Sequence, residues 1–212
     1  MKLGIVKEIR PDERRVAAAP STVGKWVKAG WEVVVEAGAG AGASFPDDLY
    51  RAAGATVLDT AAAVWSQADV VCKVRPPSER ADGTHEADSV REGQVLISFI
   101  YPAQNKELVD RLAARKATVL AMDCIPRISR AQKVDALSSM ANIAGYRAVV
   151  EAATRFGSFF TGQMTAAGKV PPAKVLIIGA GVAGLQAIAT CKRLGAMVEA
   201  YDVRAAAREQ IE

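Results

Sequence analysis

Residues 174–204 constrain this chain more than any other segment. They read Lys-Val-Leu-Ile-Ile-Gly-Ala-Gly-Val-Ala-Gly, then a stretch of helical composition, then Tyr-Asp-Val-Arg. The apolar run 175–179 reads as a buried parallel strand that stops on a glycine turn, since a strand covered on both faces needs no polar alternation. Gly179, Gly181 and Gly184 supply a G-x-G-x-x-G spacing. The first glycine permits the turn, the second lets backbone approach a pyrophosphate, and the third lets the following helix pack closely on the strand with its N-terminus facing the phosphates. The helix is expected over 182–194, closed by Gly195. A second strand over 197–201 ends at Asp202, where an acid can accept hydrogen bonds from a ribose hydroxyl. A bare glycine triplet is a weak signal, but strand, turn, helix, strand and acid in this order specify a dinucleotide site.

The pattern breaks off ten residues after Asp202, before the third strand that a mononucleotide-binding half requires. Two readings follow: a fragment of a longer protein, which is favoured, or a short protein that completes its sheet with a partner. Upstream, strand-like runs recur at 2–6, 32–36, 56–58, 70–74, 95–99 and 118–122. Helical stretches lie at 21–29, 46–53, 61–67 and 106–115. Such alternation argues a parallel, doubly wound sheet. Residues 137–160 read as one long helix, and Gly-Lys-Val-Pro-Pro at 168–172 punctuates the chain after it. The expected architecture is α/β: an N-terminal Rossmann-like α/β domain (1–136), a linking helix and connector (137–170), and the first half of a Rossmann domain (171–212).

Half of the 212 residues are hydrophobic, enough for one or two sizeable cores. The longest uncharged run, 175–191, is 17 residues long and contains the glycine turn, so it reads as buried strand and helix and not as a membrane span. The N-terminus runs straight into a strand, without the charged and apolar regions of a secretory leader. Cys72, Cys124 and Cys191 are odd in number, widely spaced and set among apolar residues, which favours buried free thiols. The net charge is +4, but the basic residues are scattered among the acids and form no aromatic–basic stripe. A surface that attracts phosphorylated cofactors fits better than one that binds nucleic acid.

Other motifs carry less. Gly38, Gly40 and Ala43 repeat the glycine spacing, but Ser44-Phe45-Pro46 interrupts the chain before any helix, so a structural turn is the favoured reading over phosphate binding. His85, the single histidine, lies in a polar acidic stretch and reads as a solvated surface residue. That leaves the chain without an evident acid–base histidine of the kind that dehydrogenases of alcohols, hydroxy acids or amino acids commonly use. Lys73 and Arg15 remain as groups for a carboxylate substrate. Residues 125–139 form a long loop expected to lack structure of its own, and loops of this kind are usually functional. The loop offers Arg127 and Arg130 to a phosphate or carboxamide, Gln132 and Asp135 to bidentate bonding, and Ser138 to a hydroxyl. The plainer reading is a solvated connector with a helix N-cap at Asp135 or Ser138.

Arg127-Ile128-Ser129-Arg130-Ala131-Gln132, Asp135-Ala136-Leu137-Ser138-Ser139 and Asn142-Ile143-Ala144-Gly145-Tyr146 closely resemble the nicotinamide nucleotide transhydrogenase α subunit. The resemblance extends to Lys7-Glu8, Glu13-Arg14-Arg15-Val16-Ala17, the glycines near residue 40, Thr165-Ala166-Ala167-Gly168 and the glycine fingerprint. It implies an NAD(H)-binding domain whose mobile loop presents the nicotinamide to NADP(H) on a partner, the β subunit or a separate NADP(H)-binding domain. Such an enzyme is Re/Si-specific and proton-translocating. The resemblance also implies a homodimer on the cytoplasmic side of a bacterial inner membrane, reached only through a partner or through sequence outside this chain.

Carried over by residue, Arg127, Gln132, Asp135 and Ser138 would hold the nicotinamide–ribose end, with Gln132 nearest the incoming NADP. Gly179, Ala180, Gly181, Val182 and Gly184 would border the pyrophosphate. Asp202, Val203 and Arg204 would meet the adenosine, and Tyr146 would brace the loop. Direct hydride passage between two nicotinamides needs proximity and orientation, not an acid–base residue. Alanine dehydrogenases resemble a sister family, and in their pattern a catalytic histidine stands where this chain has Tyr101. Two alternatives stay open: an alanine-dehydrogenase-like enzyme using Arg15 and Lys73 on a keto acid, and an inactive fragment with an exposed strand edge at 197–201. Asp202 favours NAD by repelling a 2′-phosphate, although Arg204 could attract one.

Overall fold

A computed structural model describes residues 1–211. It resolves into two compact units, Met1–Ile128 and the residues from Ser129 onward. In the first, six strands form one fully parallel sheet: β1 (Lys2–Ile5), β2 (Glu32–Glu36), β3 (Thr56–Leu58), β4 (Val70–Cys72), β5 (Val95–Ser98) and β6 (Thr118–Ala121), in the order β3-β2-β1-β4-β5-β6. Helices α1 (Pro20–Lys28), α2 (Asp47–Ala52), α3 (Ala61–Gln67) and α4 (Lys106–Ala114) connect them. Successive apolar side chains point to opposite faces of each strand, which gives the sheet a core on both sides. Val34, Val71 and Leu96 join Val64 and Trp65 on one face, while Val33, Val35, Val70 and Cys72 join Val23 and Tyr50 on the other. This is the expected doubly wound arrangement.

The second unit holds α5 (Ala136–Arg155), a hairpin of β7 (Gln163–Thr165) and β8 (Gly168–Val170), then β9 (Lys174–Ile178), α6 (Val182–Arg193) and β10 (Met197–Tyr201). β9 and β10 pair in parallel, from Lys174 opposite Met197 to Ile178 opposite Tyr201. The long helix stops five residues earlier than its composition suggests, because Phe156 turns extended (ψ 124°) ahead of Gly157. Phe156 and Phe160 then meet edge to face, their centroids 5.9 Å apart. The hairpin was not foreseen, since Thr165-Ala166-Ala167-Gly168 carries no strand signal beyond the turn glycine. Cys72 and Cys191 are buried as expected, but Cys124 is exposed: the chain leaves the sheet at Ala121, which takes the thiol out of the core. No helix among the described residues is long and apolar enough to cross a membrane.

Candidate nucleotide-binding site

The three glycines of the fingerprint differ in what the fold asks of them. Gly179 ends β9 with φ +96°, in the left-handed region that glycine reaches without steric cost. A Cβ on Gly184 would overlap the carbonyl oxygen of Gly179, so that position must stay bare for α6 to sit against the strand. A Cβ on Gly181 would meet no protein atom within 4 Å. The protein's own packing therefore does not require glycine there, and the open space above its backbone suits the approach of a ligand. Gly181 is also the N-cap of α6 and provides no side-chain cap, which leaves the first-turn amides and the positive end of the helix dipole to an anion.

Asp202 closes the turn from the end of β10. Its Oδ2 accepts from the Ala180 amide at 2.7 Å and from Arg204 Nη2 at 3.0 Å, and its Oδ1 accepts from Arg204 N at 2.8 Å and Nε at 3.0 Å. Hydrogen bonds from Arg204, joined by the Ala180 amide, hold this carboxyl far below the usual carboxylate range. The strand register is fixed by the same corner, where the Gly179 amide donates to Tyr201 O at 2.7 Å. Ala180 is buried, whereas Val203 is 86% exposed.

The 125–139 segment is not the structureless loop expected. It carries a six-residue 3₁₀ run, Ser129–Val134, longer than such helices usually persist. Ile128 and Val134 stand more than half exposed along it. Asp135 is the N-cap of α5: its carboxylate accepts from Ser138 N at 2.9 Å and from Ser138 Oγ at 2.6 Å. The plainer reading of that pair is thus realised, and it leaves Asp135 and Ser138 in one fixed cluster with Gln132 one turn before them. Arg127 is exposed and falls within the first unit; Gln132, Asp135 and Ser138 fall in the second with the glycine turn. The Tyr146 ring on α5 is half exposed.

Sequence reasoning missed the contact that ties these parts of the second unit together. Gly145 of α5 lies so close to the backbone of Ala183 on α6 that a Cβ would collide with it, and Asn142 Nδ2 donates to Gln186 Oε1 at 3.1 Å one turn away. The small residues near the start of the long helix were the visible signal. The long helix is thus pinned to the first turn of the helix that leads out of the glycine turn.

The groups reserved for a carboxylate substrate are differently placed. Lys73 Nζ is fully buried between Glu86 Oε1 (2.9 Å) and Glu8 Oε2 (3.3 Å). Arg15 is bound to Glu13 through Nε and Nη2 (2.8 and 2.7 Å). His85 is not a freely solvated residue: its Nδ1 accepts from the Ala87 amide at 3.1 Å and caps a 3₁₀ turn, and burial together with the nearby Arg111 charge lowers its pKa. Gly40 is bare because Tyr50 and the Phe45 carbonyl press on it, which makes the second glycine cluster a structural turn.

Comparison with known proteins follows the same lines. The family model described as the N-terminal domain of alanine dehydrogenase/PNT matches residues 4–144, and that of the C-terminal domain matches residues 148–212. The NAD(P) transhydrogenase subunit alpha of Cereibacter sphaeroides is 59% identical over all 212 residues, which make up 40% of that protein. Among solved structures, the transhydrogenase from Sinorhizobium meliloti superposes with a TM-score of 0.92 at 48% identity, covering 100% of this chain and 59% of that one. An L-alanine dehydrogenase superposes with a TM-score of 0.84 at 31% identity, covering 100% and 57%. The chain spans about half the length of the proteins it matches.

Proposed function

We propose that this chain, which belongs to the alanine dehydrogenase/PNT family, acts within a transhydrogenase α subunit as part of the NAD(H)-binding component of a Re/Si-specific, proton-translocating enzyme. The observation that carries the reading is the glycine turn locked to Asp202, with open space above Gly181 and an uncapped helix start beside it. In this reading the α6 amides receive the pyrophosphate and Asp202 faces the adenosine ribose. Gln132, Asp135 and Ser138, with Arg127, hold the nicotinamide end. The bound cofactor supplies a transferable hydride, and NADP(H) sits on a partner, the β subunit or a separate domain. The chain's own residues orient and exclude water, and they move no proton. The partner, a homodimer and a place on the cytoplasmic face of a bacterial membrane belong to the same proposal.

The alanine-dehydrogenase alternative is disfavoured by geometry. Lys73 has both its carboxylate partners inside the core, Arg15 is already engaged, and Tyr101 stands at the position of that pattern's histidine.

Two measurements on the full-length protein test the reading. NADH should bind at least about tenfold more tightly than NADPH, and equal affinities in a titration would remove the assignment of Asp202. Gln132→Asn and Asp135→Asn should lower hydride transfer by a larger factor than NADH affinity. The asparagine at 135 preserves the N-cap, so unchanged turnover would reduce the segment to a connector.

A further inference from the structure

The strand order of the first sheet reverses between β1 and β4. In open α/β sheets such a reversal opens a crevice beyond the carboxyl ends of the strands, where ligands bind. Here β1 and β4 run on into Glu8 and Arg10 on one side and Lys73 and Arg75 on the other. A cleft of ≈ 1020 Å³ opens in this unit, lined in part by Arg10, Arg75, His85, Tyr101 and Arg111. Neither Arg15 nor Lys73 lines it, and none of the nucleotide-site residues named above belongs to it.

The base of this cleft is built rather than incidental. Glu8 is buried and accepts from the Val74 and Arg75 amides at 2.6 and 3.1 Å, which fixes the backbone beneath Arg75. Glu13 holds Arg75 through Nε alone, at 2.6 Å, so the Nη donors remain uncommitted among the described residues. Arg10 also has no side-chain partner among them. Tyr101 has φ +51°, a conformation that a bulky residue keeps only where its surroundings over-determine it, as at ligand clamps. Asp123 accepts from the Ile100 and Tyr101 amides at 2.6 and 2.9 Å, and the Tyr101 carbonyl accepts from the Gln104 and Asn105 amides at 3.0 Å each. The ring then stacks on Phe99.

We propose that this cleft is a second ligand site, for a small organic molecule carrying two or more oxyanions, with Arg10, Arg75 and Arg111 as its guanidinium donors and Tyr101 as a hydroxyl donor. Planar guanidinium forks match carboxylate and phosphate oxygens. Glu79, Asp88 and Glu107 also line the cleft, with Asp88 shared between Arg111 (3.8 Å) and Arg115 (3.6 Å). The lining is therefore mixed, which selects discrete anionic groups over the diffuse charge of a nucleic acid.

The test is calorimetric titration of the full-length protein with malonate and with pyrophosphate at constant ionic strength. One probe should saturate with Kd below about 1 mM. Its affinity should fall at least about tenfold in Arg10→Gln and in Arg111→Gln, which lie on separate segments, while NADH affinity stays as in the parent. Preference for malonate identifies a dicarboxylate, and preference for pyrophosphate a phosphorylated compound. Failure of both probes to saturate, or parental affinity in both variants, overturns the proposal. The NADH titration reports on the nucleotide site separately.

Discussion

Two sets of parallel strands with similar apolar sequences are buried differently. In the first unit β1, β2 and β4 have consecutive buried residues, because helices cover both faces of their sheet. In the second, β9 and β10 alternate exposed and half-buried residues. Val175, Ile177 and Val198 face the small core around Val149, Ala187 and Cys191, while Leu176, Ile178, Met197 and Tyr201 are between 55 and 78% exposed. The difference teaches that an unbroken apolar run encodes the demand for cover on both faces, not its fulfilment. The sequence of β9 is that of a central strand, and within these residues only one of its faces is served.

The contrast can be broken most severely at the centre of the first unit. Lys73→Ala would leave Glu8 and Glu86 buried without their ammonium, a loss of about 3–5 kcal/mol. All three tryptophans, Trp26, Trp31 and Trp65, lie in this unit, so urea unfolding followed by tryptophan fluorescence reads it directly. A retained midpoint would show that the Glu8–Lys73–Glu86 contacts do not hold this unit together. Next, Leu96→Ala removes a fully buried side chain and should cost about 2–5 kcal/mol. Ile178→Ala, on the open face of β9, should change stability by less than about 0.5 kcal/mol, read from amide exchange of the β9–β10 pair. Similar losses at both positions would mean that the two strands are equally covered.

A separate effect is electrostatic and confined to acid pH in its titration. Glu13 is held at about 2, against an ordinary value of 4.5, first by the Arg15 side chain and then by its amide and Arg75, with burial opposing. Because the folded value is the lower one, its contribution is fully present above about pH 4.5 and is lost as pH falls toward 2. Glu13→Gln should lower stability at neutral pH and flatten its pH dependence in that window. An unchanged acid limb would assign the slope to other carboxylates.

Much of this was legible because it is local. The glycine turn, its helix and Asp202 lie within a span of about thirty residues, and the positions of Gly179 and Gly184 report conformational and steric requirements that the structure meets. The sheet was legible from the alternation of runs. What escaped was either long-range or conformational. Lys73 and Glu8 are 65 residues apart, and nothing in either neighbourhood announces a shared buried site. The left-handed Tyr101 is invisible to propensity because Asp123, 22 residues on, enforces it. The 3₁₀ run at Ser129–Val134 has no apolar period to reveal it, and the end of α5 was set by Phe156, whose type does not forbid a helix.

The Asp202–Arg204 pairing has a consequence for how a nucleotide would arrive. A carboxylate has about four acceptor positions, and here two backbone amides and two Arg204 donors fill them. The arginine fork offers what a ribose diol would offer, two donors side by side, so the side chain acts as an internal stand-in for the sugar. Docking at this corner becomes an exchange, with one set of hydrogen bonds released as another forms. Under the proposed reading, Arg204 would be at once a rival for the acid and, once displaced, a cation available to the adenosine, and the balance between those two roles would set the grip of the site.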